Sequence, residues 1–301
     1  MINNIFMLRF LKGFYLFISV ERGIMLFMIS TGAAFLIGGR SDWPEVTYLG
    51  LIGFLGWSCV DAINNISDVE LDKESDPFRS DFTASLHFWS FFIVLFLFLA
   101  SIGMGLATNK PLVSIFILLG ILLGIVYSVP PLRLRQTIYK PIVNSTVGAI
   151  PVLIASAFYE VFTIEVYLLA ILMGAATAVN SLWEDLADYP SDLQSRASTF
   201  PIVLGFKRGL KITILLGYSL IPLMILIGLM FELGAVYYII LATLIAFLSL
   251  HVYQGRKTIL GEETKTIHSL SIKLARDFVI IAVVHTTNLM LSGYIKNIFT
   301  Q

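Results

Sequence analysis

The chain has 301 residues, 57% of them hydrophobic and 13% charged, with 20 Lys+Arg set against 20 Asp+Glu. Soluble domains carry about 25% charged residues, so a water-soluble globule is excluded, and so is an intrinsically disordered chain. Zero net charge leaves no basic field for nucleic acid. The single cysteine, Cys59, rules out an internal disulfide framework and reads as a small packed hydrophobe.

A bilayer core about 30 Å thick is crossed by about 20 apolar residues of helix. In chain order, residues 2–19 are apolar but carry Arg9 and Lys12. They lack the small-residue cleavage site of a signal peptide and read as an amphipathic, interfacial or pre-span segment within 1–20. Runs long enough to span follow at 22–39, 46–66, 84–107, 111–128, 142–160, 164–184, 210–231, 234–253 and 277–295. Each is expected to be helical, because lipid offers no partner to a free backbone N–H or C=O. The expected fold class is all-α: a single domain over 1–301, a multi-pass transmembrane bundle of nine helices around a central cavity.

With nine spans, alternate connections fall on opposite sides. The N-terminus and the connections near 67–83, 129–141, 185–209 and 254–276 share one side, and every Lys and Arg lies there except Arg40, Lys110 and Lys296. The positive-inside rule makes that side cytoplasmic. It predicts a cell-membrane protein with its N-terminus inside and membrane lipid as its surroundings. The same side owns the long connections, which are usually functional, so 67–83 and 185–209 are expected to cap the working face.

Two acidic runs leave helices on that face. The second span ends in Asn64-Asn65-Ile66-Ser67-Asp68-Val69-Glu70-Leu71-Asp72, and the sixth in Glu184-Asp185-Leu186-Ala187-Asp188-Tyr189-Pro190-Ser191-Asp192. Both repeat an oxygen-bearing side chain every four residues, which on a helix stacks Asn64/Asp68/Asp72 and Glu184/Asp188/Asp192 along one face. Pro190 is expected to disrupt or kink the second helix. Carboxylates crowded at the mouth of a bundle repel one another and are costly to desolvate. A divalent cation removes the conflict, and Mg²⁺, a hard ion, takes one or two carboxylates plus waters and substrate phosphates. No His or Cys accompanies the acids, which disfavours zinc or a redox metal. The four histidines, His87, His251, His268 and His285, are scattered without ligand spacing and read as structural or interfacial. Because the acids lie at the membrane edge, their replacement is expected to spare folding.

A third element, Tyr127-Ser128-Val129-Pro130-Pro131-Leu132-Arg133-Leu134-Arg135, closes the fourth span on the same side. Its prolines end a helix. Arg133, Arg135 and Arg79 offer planar multi-donor groups, suited either to phosphate oxygens or to anchoring at the membrane surface. Asn144, Ser145 and Thr146 in the fifth span, with Asn180 and Ser181 in the sixth, read either as helix–helix glue or as contacts to a ligand.

Taken together these segments resemble the UbiA superfamily of intramembrane prenyltransferases. Asn64, Asp68, Asp72 and Arg79 match its first motif, while Asp188, Asp192, Thr199, Pro201, Leu204 and Gly205 match its second. The Tyr-Ser-x-Pro-Pro-x-Arg-Leu-Arg segment at 127–135 is found in many members, and nine helices is the family's architecture. The resemblance implies transfer of a prenyl group from an isoprenyl diphosphate to a lipophilic or aromatic acceptor, with release of diphosphate and two Mg²⁺ ions. By position, Asn64, Asp68 and Asp72 would hold one ion, and Asp188 and Asp192 the other, with Asp185 in support. Arg79, Arg133 and Arg135 would bind the diphosphate, Tyr127 would lie near the reacting allylic carbon, and Ser128 and Asn144 would line the substrate site. An aromatic, quinone-precursor-like acceptor is the first expectation. A prenylated glycerol phosphate or a tetrapyrrole is the alternative.

The chemistry is consistent with these residue types. Loss of diphosphate builds negative charge on oxygen, which Mg²⁺ and guanidinium groups stabilise. It also builds positive charge on carbon, which aromatic faces and a dry chamber protect. A cation-coupled transporter is the rival from another class. Its charges are expected near the bilayer midplane, however, rather than at one edge.

Overall fold

A computed structural model of the chain describes residues 2–39, 42–260 and 264–300. Arg40, one of the three cations assigned to the outer side, lies outside them. Among the described residues nine helices are long and apolar enough to cross a membrane. They coincide with the nine apolar runs, and the protein is an all-helical, multi-pass integral membrane protein. The chain forms two compact units, one of Met1–Thr31 with Trp43–Arg133 and one of Gly32–Asp42 with Leu134–Gln301.

The first unit contains α1 (Ile2–Phe17), the first part of α2 (Val20–Gly38), α3 (Trp43–Ser67), α4 (Asp72–Ser75), α5 (Pro77–Leu86), α6 (Phe88–Ala107) and α7 (Pro111–Ser128). α3 packs on both α6 and α7, which also pack on each other. Their outer faces show Phe88, Trp89, Phe96, Leu99 and Ile115, a surface that lipid rather than water accommodates. The expected pre-span segment is α1, and it docks on α5. Phe10 meets Phe82 edge-on at 5.8 Å, Lys12 Nζ stands 4.7 Å from the Phe78 ring centroid, and a Cβ at Gly13 would come within 2.1 Å of Phe82. Asn65, buried at the end of α3, donates to the carbonyl of Phe17 at 2.8 Å and ties the two helices together. α5 starts where Pro77 follows Asp76, whose carboxylate accepts the Arg79 N–H at 3.2 Å, a normal N-cap.

The second unit contains the end of α2, a 3₁₀ turn at Leu134–Gln136, and α8 (Lys140–Tyr159), α9 (Ile164–Ala187), α10 (Tyr189–Gln194), α11 (Phe200–Leu204), α12 (Phe206–Met230), α13 (Ala235–Leu260) and α14 (Thr264–Thr300). α9 is the central helix and touches α8, α12 and α14. Its approach to α8 is close because small residues face each other: a Cβ at Gly148 would meet Thr177 Oγ1 at 2.1 Å, and one at Gly174 would meet the Ser145 carbonyl at 2.6 Å. Along α14, amide side chains serve as inter-helix ties, with Asn288 donating to Tyr237 O at 3.0 Å and Asn297 to Phe35 O at 2.8 Å.

Two expectations change. The connections read as loops at 67–83 and 185–209 contain short helices, α4 and α5 in one, α10 and α11 in the other. The last helix runs Thr264–Thr300 rather than 277–295, so most of the connection near 254–276 is helical. Its extra turns bury Ile267, Ser271 and Leu274, spaced four and three apart along one face. A hydropathy run misses such a segment because its other faces are polar.

Candidate functional site

In the first unit, the regular part of α3 ends at Ser67, yet the hydrogen-bond register continues. Asp68 N–H donates to Asn64 O at 3.0 Å, Asp72 N–H to Asp68 O at 2.9 Å, and Asp76 N–H to Asp72 O at 2.8 Å. Asn64, Asp68 and Asp72 therefore keep the four-residue stacking read from the sequence. Each has a partner across the unit. Ser128 donates to Asn64 Oδ1 at 2.9 Å, Arg133 pairs with Asp68, and Arg79 pairs with Asp72 at 2.8 Å. Ser80 donates to Val69 O at 2.7 Å and fixes the turn between the acids. The Asp68 side chain is fully buried, with Arg133 21% exposed, which argues against the expectation that its replacement spares folding. Arg133 reaches it from a backbone in the left-handed region (φ 38°), a conformation that costs an L residue about 1–2 kcal/mol. Tyr127 is half-buried on the last turn of α7, beside Ser128.

In the second unit, Asp188 N–H donates to Glu184 O at 2.8 Å and Asp192 N–H to Asp188 O at 2.9 Å. Pro190 does interrupt the helix, since α9 ends at Ala187 and α10 begins at Tyr189. It falls in the first turn of α10, where its missing N–H is tolerated, and the register of the acids survives. Thr199 donates to Asp192 Oδ2 at 2.8 Å. Lys140 lies 2.6 Å from Asp185 Oδ1 and 3.7 Å from Glu184 Oε2, and its charge also reaches Asp188 and Asp192. Arg135, in the 3₁₀ turn, adds positive charge to the same two acids. The turn is held there by Ser198 N–H donating to Gln136 O at 2.9 Å and by the isolated bridge between Thr137 and Ser198.

Burial pushes the carboxyls of Asp72, Asp188 and Asp192 above the usual carboxylate range, against the opposing pull of the nearby cations. Asp188 retains an exposed edge, but the surrounding helices still withhold enough water to raise it. Among the described residues no three His, Cys, Asp or Glu side chains form a cage able to hold a metal alone. Mg²⁺ does not need one, because it keeps waters and takes substrate phosphates alongside one or two carboxylates. Hard oxygen donors on stacked positions, half withdrawn from water, fit such an ion.

The structure thus gathers Asn64, Asp68, Asp72, Arg79, Ser128 and Arg133 in the first unit, and Arg135, Asp185, Asp188 and Asp192 in the second. Asn144, half-buried on α8, makes no hydrogen bond to either cluster among the described residues. Lys140 is the residue that sequence reasoning missed. Its signal was present: a cation one residue before Pro141, at a helix N-terminus, opposes the helix dipole and so calls for a carboxylate partner.

The model of the UbiA prenyltransferase family matches residues 25–271. Among solved structures, the fold is similar to one described for digeranylgeranylglyceryl phosphate synthase, with TM-score 0.69, 17% identity, and 95% of this chain and 99% of that chain covered. It is also similar to a UbiA homolog from Archaeoglobus fulgidus bound to DMAPP and Mg²⁺ (TM-score 0.65, 16% identity, 92% and 99% covered). The same homolog bound to GPP and Mg²⁺ gives TM-score 0.63 and 14% identity, with 92% and 99% covered. At these identities the likeness is one of fold. No curated protein matches the sequence.

Proposed function

From its membership of the UbiA prenyltransferase family, to which this chain belongs, we propose that the protein carries out Mg²⁺-dependent transfer of a prenyl group from an isoprenyl diphosphate to a lipophilic acceptor, releasing diphosphate. The observation that carries this reading is the same device built twice: acids stacked at four-residue steps at a helix exit, each set partly buried and faced by its own cations. Asn64, Asp68 and Asp72 would hold one Mg²⁺, and Asp188 and Asp192 a second. Bound Mg²⁺ would supply the charge that lets diphosphate depart from the allylic carbon. Arg79 and Arg133, paired with Asp72 and Asp68, would offer guanidinium donors to phosphate oxygens beside a metal held there. Arg135 adds its guanidinium to the leaving group. Tyr127 offers an aromatic face to the positive carbon, while Ser128 orients Asn64. Lys140 and Asp185 keep the second run in place.

The acceptor of first choice is aromatic and quinone-precursor-like. A prenylated glycerol phosphate is the second reading, favoured by the likeness of fold to digeranylgeranylglyceryl phosphate synthase. The test is to incubate the purified protein with Mg²⁺, labelled prenyl diphosphates of several lengths and acceptors of both kinds, and to weigh the products. A prenylated acceptor with stoichiometric diphosphate, lost on adding EDTA, is the expected result. Absence of diphosphate release with every donor and acceptor would count against the reading.

The site is proposed to open on the cytoplasmic face. In a Cys59→Ala background, Lys73→Cys is expected to react with a membrane-impermeant maleimide only after the membrane is opened from inside. Lys110→Cys is expected to react from outside. The reversed pattern would turn the protein over.

A further inference from the structure

The second acidic run is carried across a break in its helix, and another helix holds the break. Pro190 has no N–H to offer the carbonyl of Leu186, four residues back, and its ring crowds that carbonyl. More generally, the last four carbonyls of a helix have no partner inside it. The last two of α9 are met from α14, some eighty residues on. His268 Nε2 lies 2.9 Å from Ala187 O, and the buried Ser271 hydroxyl, shared with His268 O at 2.7 Å, lies 3.5 Å from Leu186 O. A carbonyl only accepts, so Nε2 carries the proton. The imidazole is also packed against Phe206 (centroids 5.9 Å apart), which in turn packs on Tyr189, the first residue of α10 (4.7 Å). His268 therefore touches both sides of the break, α9 by hydrogen bond and α10 through one ring. Both acidic runs keep the N–H to C=O bonds from one acid to the next, but the first has no proline between Asn64 and Asp72, whereas the second has Pro190 between its acids.

We propose that His268 is a positioning residue for the second acidic run. By holding the carbonyl of the residue immediately before Asp188, it keeps Asp188 and Asp192 in the register that α9 delivers despite Pro190. The proposal rests on the reading of Asp188 and Asp192 as Mg²⁺ ligands.

The test measures binding of Mn²⁺, a spectroscopic stand-in for Mg²⁺, to the purified full chain with inorganic pyrophosphate, read by electron paramagnetic resonance. Residues that orient metal ligands typically change affinity by about 10–100-fold when removed. His268→Leu, which deletes the donor, is expected to weaken Mn²⁺ binding by about tenfold. His268→Gln, which keeps a side-chain N–H, should recover most of that loss. Pro190→Ala removes the ring and returns an N–H opposite Leu186 O, so that α9 can run on through 188–192 on its own backbone bonds without the His268 contact to Ala187 O. In that background His268→Leu should change Mn²⁺ affinity by less than about threefold. The proposal is overturned if His268→Leu binds Mn²⁺ like the unaltered chain. It is equally overturned if the Leu and Gln variants lose affinity alike whether or not Pro190 is present, since His268 would then serve only to pack. If His268→Leu alone fails to fold, the Gln variant and the Pro190→Ala/His268→Leu double variant decide by the same criteria. Asp192→Ala is measured in parallel. Unchanged Mn²⁺ binding there removes the metal reading and this proposal together, whereas loss there with none in His268→Leu removes this proposal alone.

Discussion

Asp192→Ala is expected to lower turnover by about 10²–10³-fold, the usual effect of removing one group that stabilises transition-state charge, while the protein still folds. Asp192 is half-exposed in a short helix, and its carboxylate accepts a hydrogen bond from Thr199. Its loss therefore strands little inside the protein. Asp68 is different, being fully buried against Arg133. Truncating one member of a buried pair leaves an uncompensated charge, at a cost of about 3–5 kcal/mol, so Asp68→Ala would confuse catalysis with folding. Asp68→Asn keeps the shape and an oxygen for Arg133 while removing the negative charge that Mg²⁺ needs. It should give a comparable loss of turnover with a melting temperature near that of the unaltered chain. Steady-state rates and thermal melts on the same preparations decide the matter. Near-normal turnover in either Asp192→Ala or Asp68→Asn would remove the acidic runs from the reaction.

The largest effect on stability is expected at Lys140. Its side chain is 9% exposed, and that of Asp185, its partner at 2.6 Å, is 1% exposed. The second carboxylate oxygen of Asp185 is buried with no hydrogen-bond partner among the described residues, so the lysine is the main compensation for that charge there. Lys140→Met should cost about 3–5 kcal/mol, the usual penalty for orphaning a buried charge. Part of the loss should return in Lys140→Met/Asp185→Leu, because a buried ion pair replaced as a whole by apolar side chains is often neutral for stability. The double variant should nevertheless remain slow. Lys140 also faces Asp188 and Asp192, whose carboxyls burial already pushes toward the protonated form. A Lys140→Met chain that melts like the unaltered protein, measured in the same detergent, would contradict this account of the cluster.

The spans were legible because one force dominates them. Lipid penalises every unpaired backbone group, so runs of apolar residues such as 88–107 and 111–128 have a single solution, and the structure gives nine such helices among its described residues. The four-residue spacing of Asn64, Asp68 and Asp72 was legible for a similar reason, since consecutive N–H to C=O bonds fix that geometry locally. The length of α14 was not legible. Its first turns are mostly polar and bury Ile267, Ser271 and Leu274, a gain that depends on what packs against them. The Pro190 break was half legible: the sequence announces the proline, but His268 lies far along the chain and nothing local links the two.

What the sequence determined alone is what short-range physics settles: an integral membrane chain, its helical spans, and acids at helical spacing where two of them end. Only the tertiary structure decided which charges compensate which. The partnerships of Asp68 with Arg133, Asp72 with Arg79 and Asp185 with Lys140 depend on how separate helices come to lie. Burial then sets how strongly each carboxylate needs its cation, because charge in a poorly hydrated place must be neutralised by whatever the fold brings within reach.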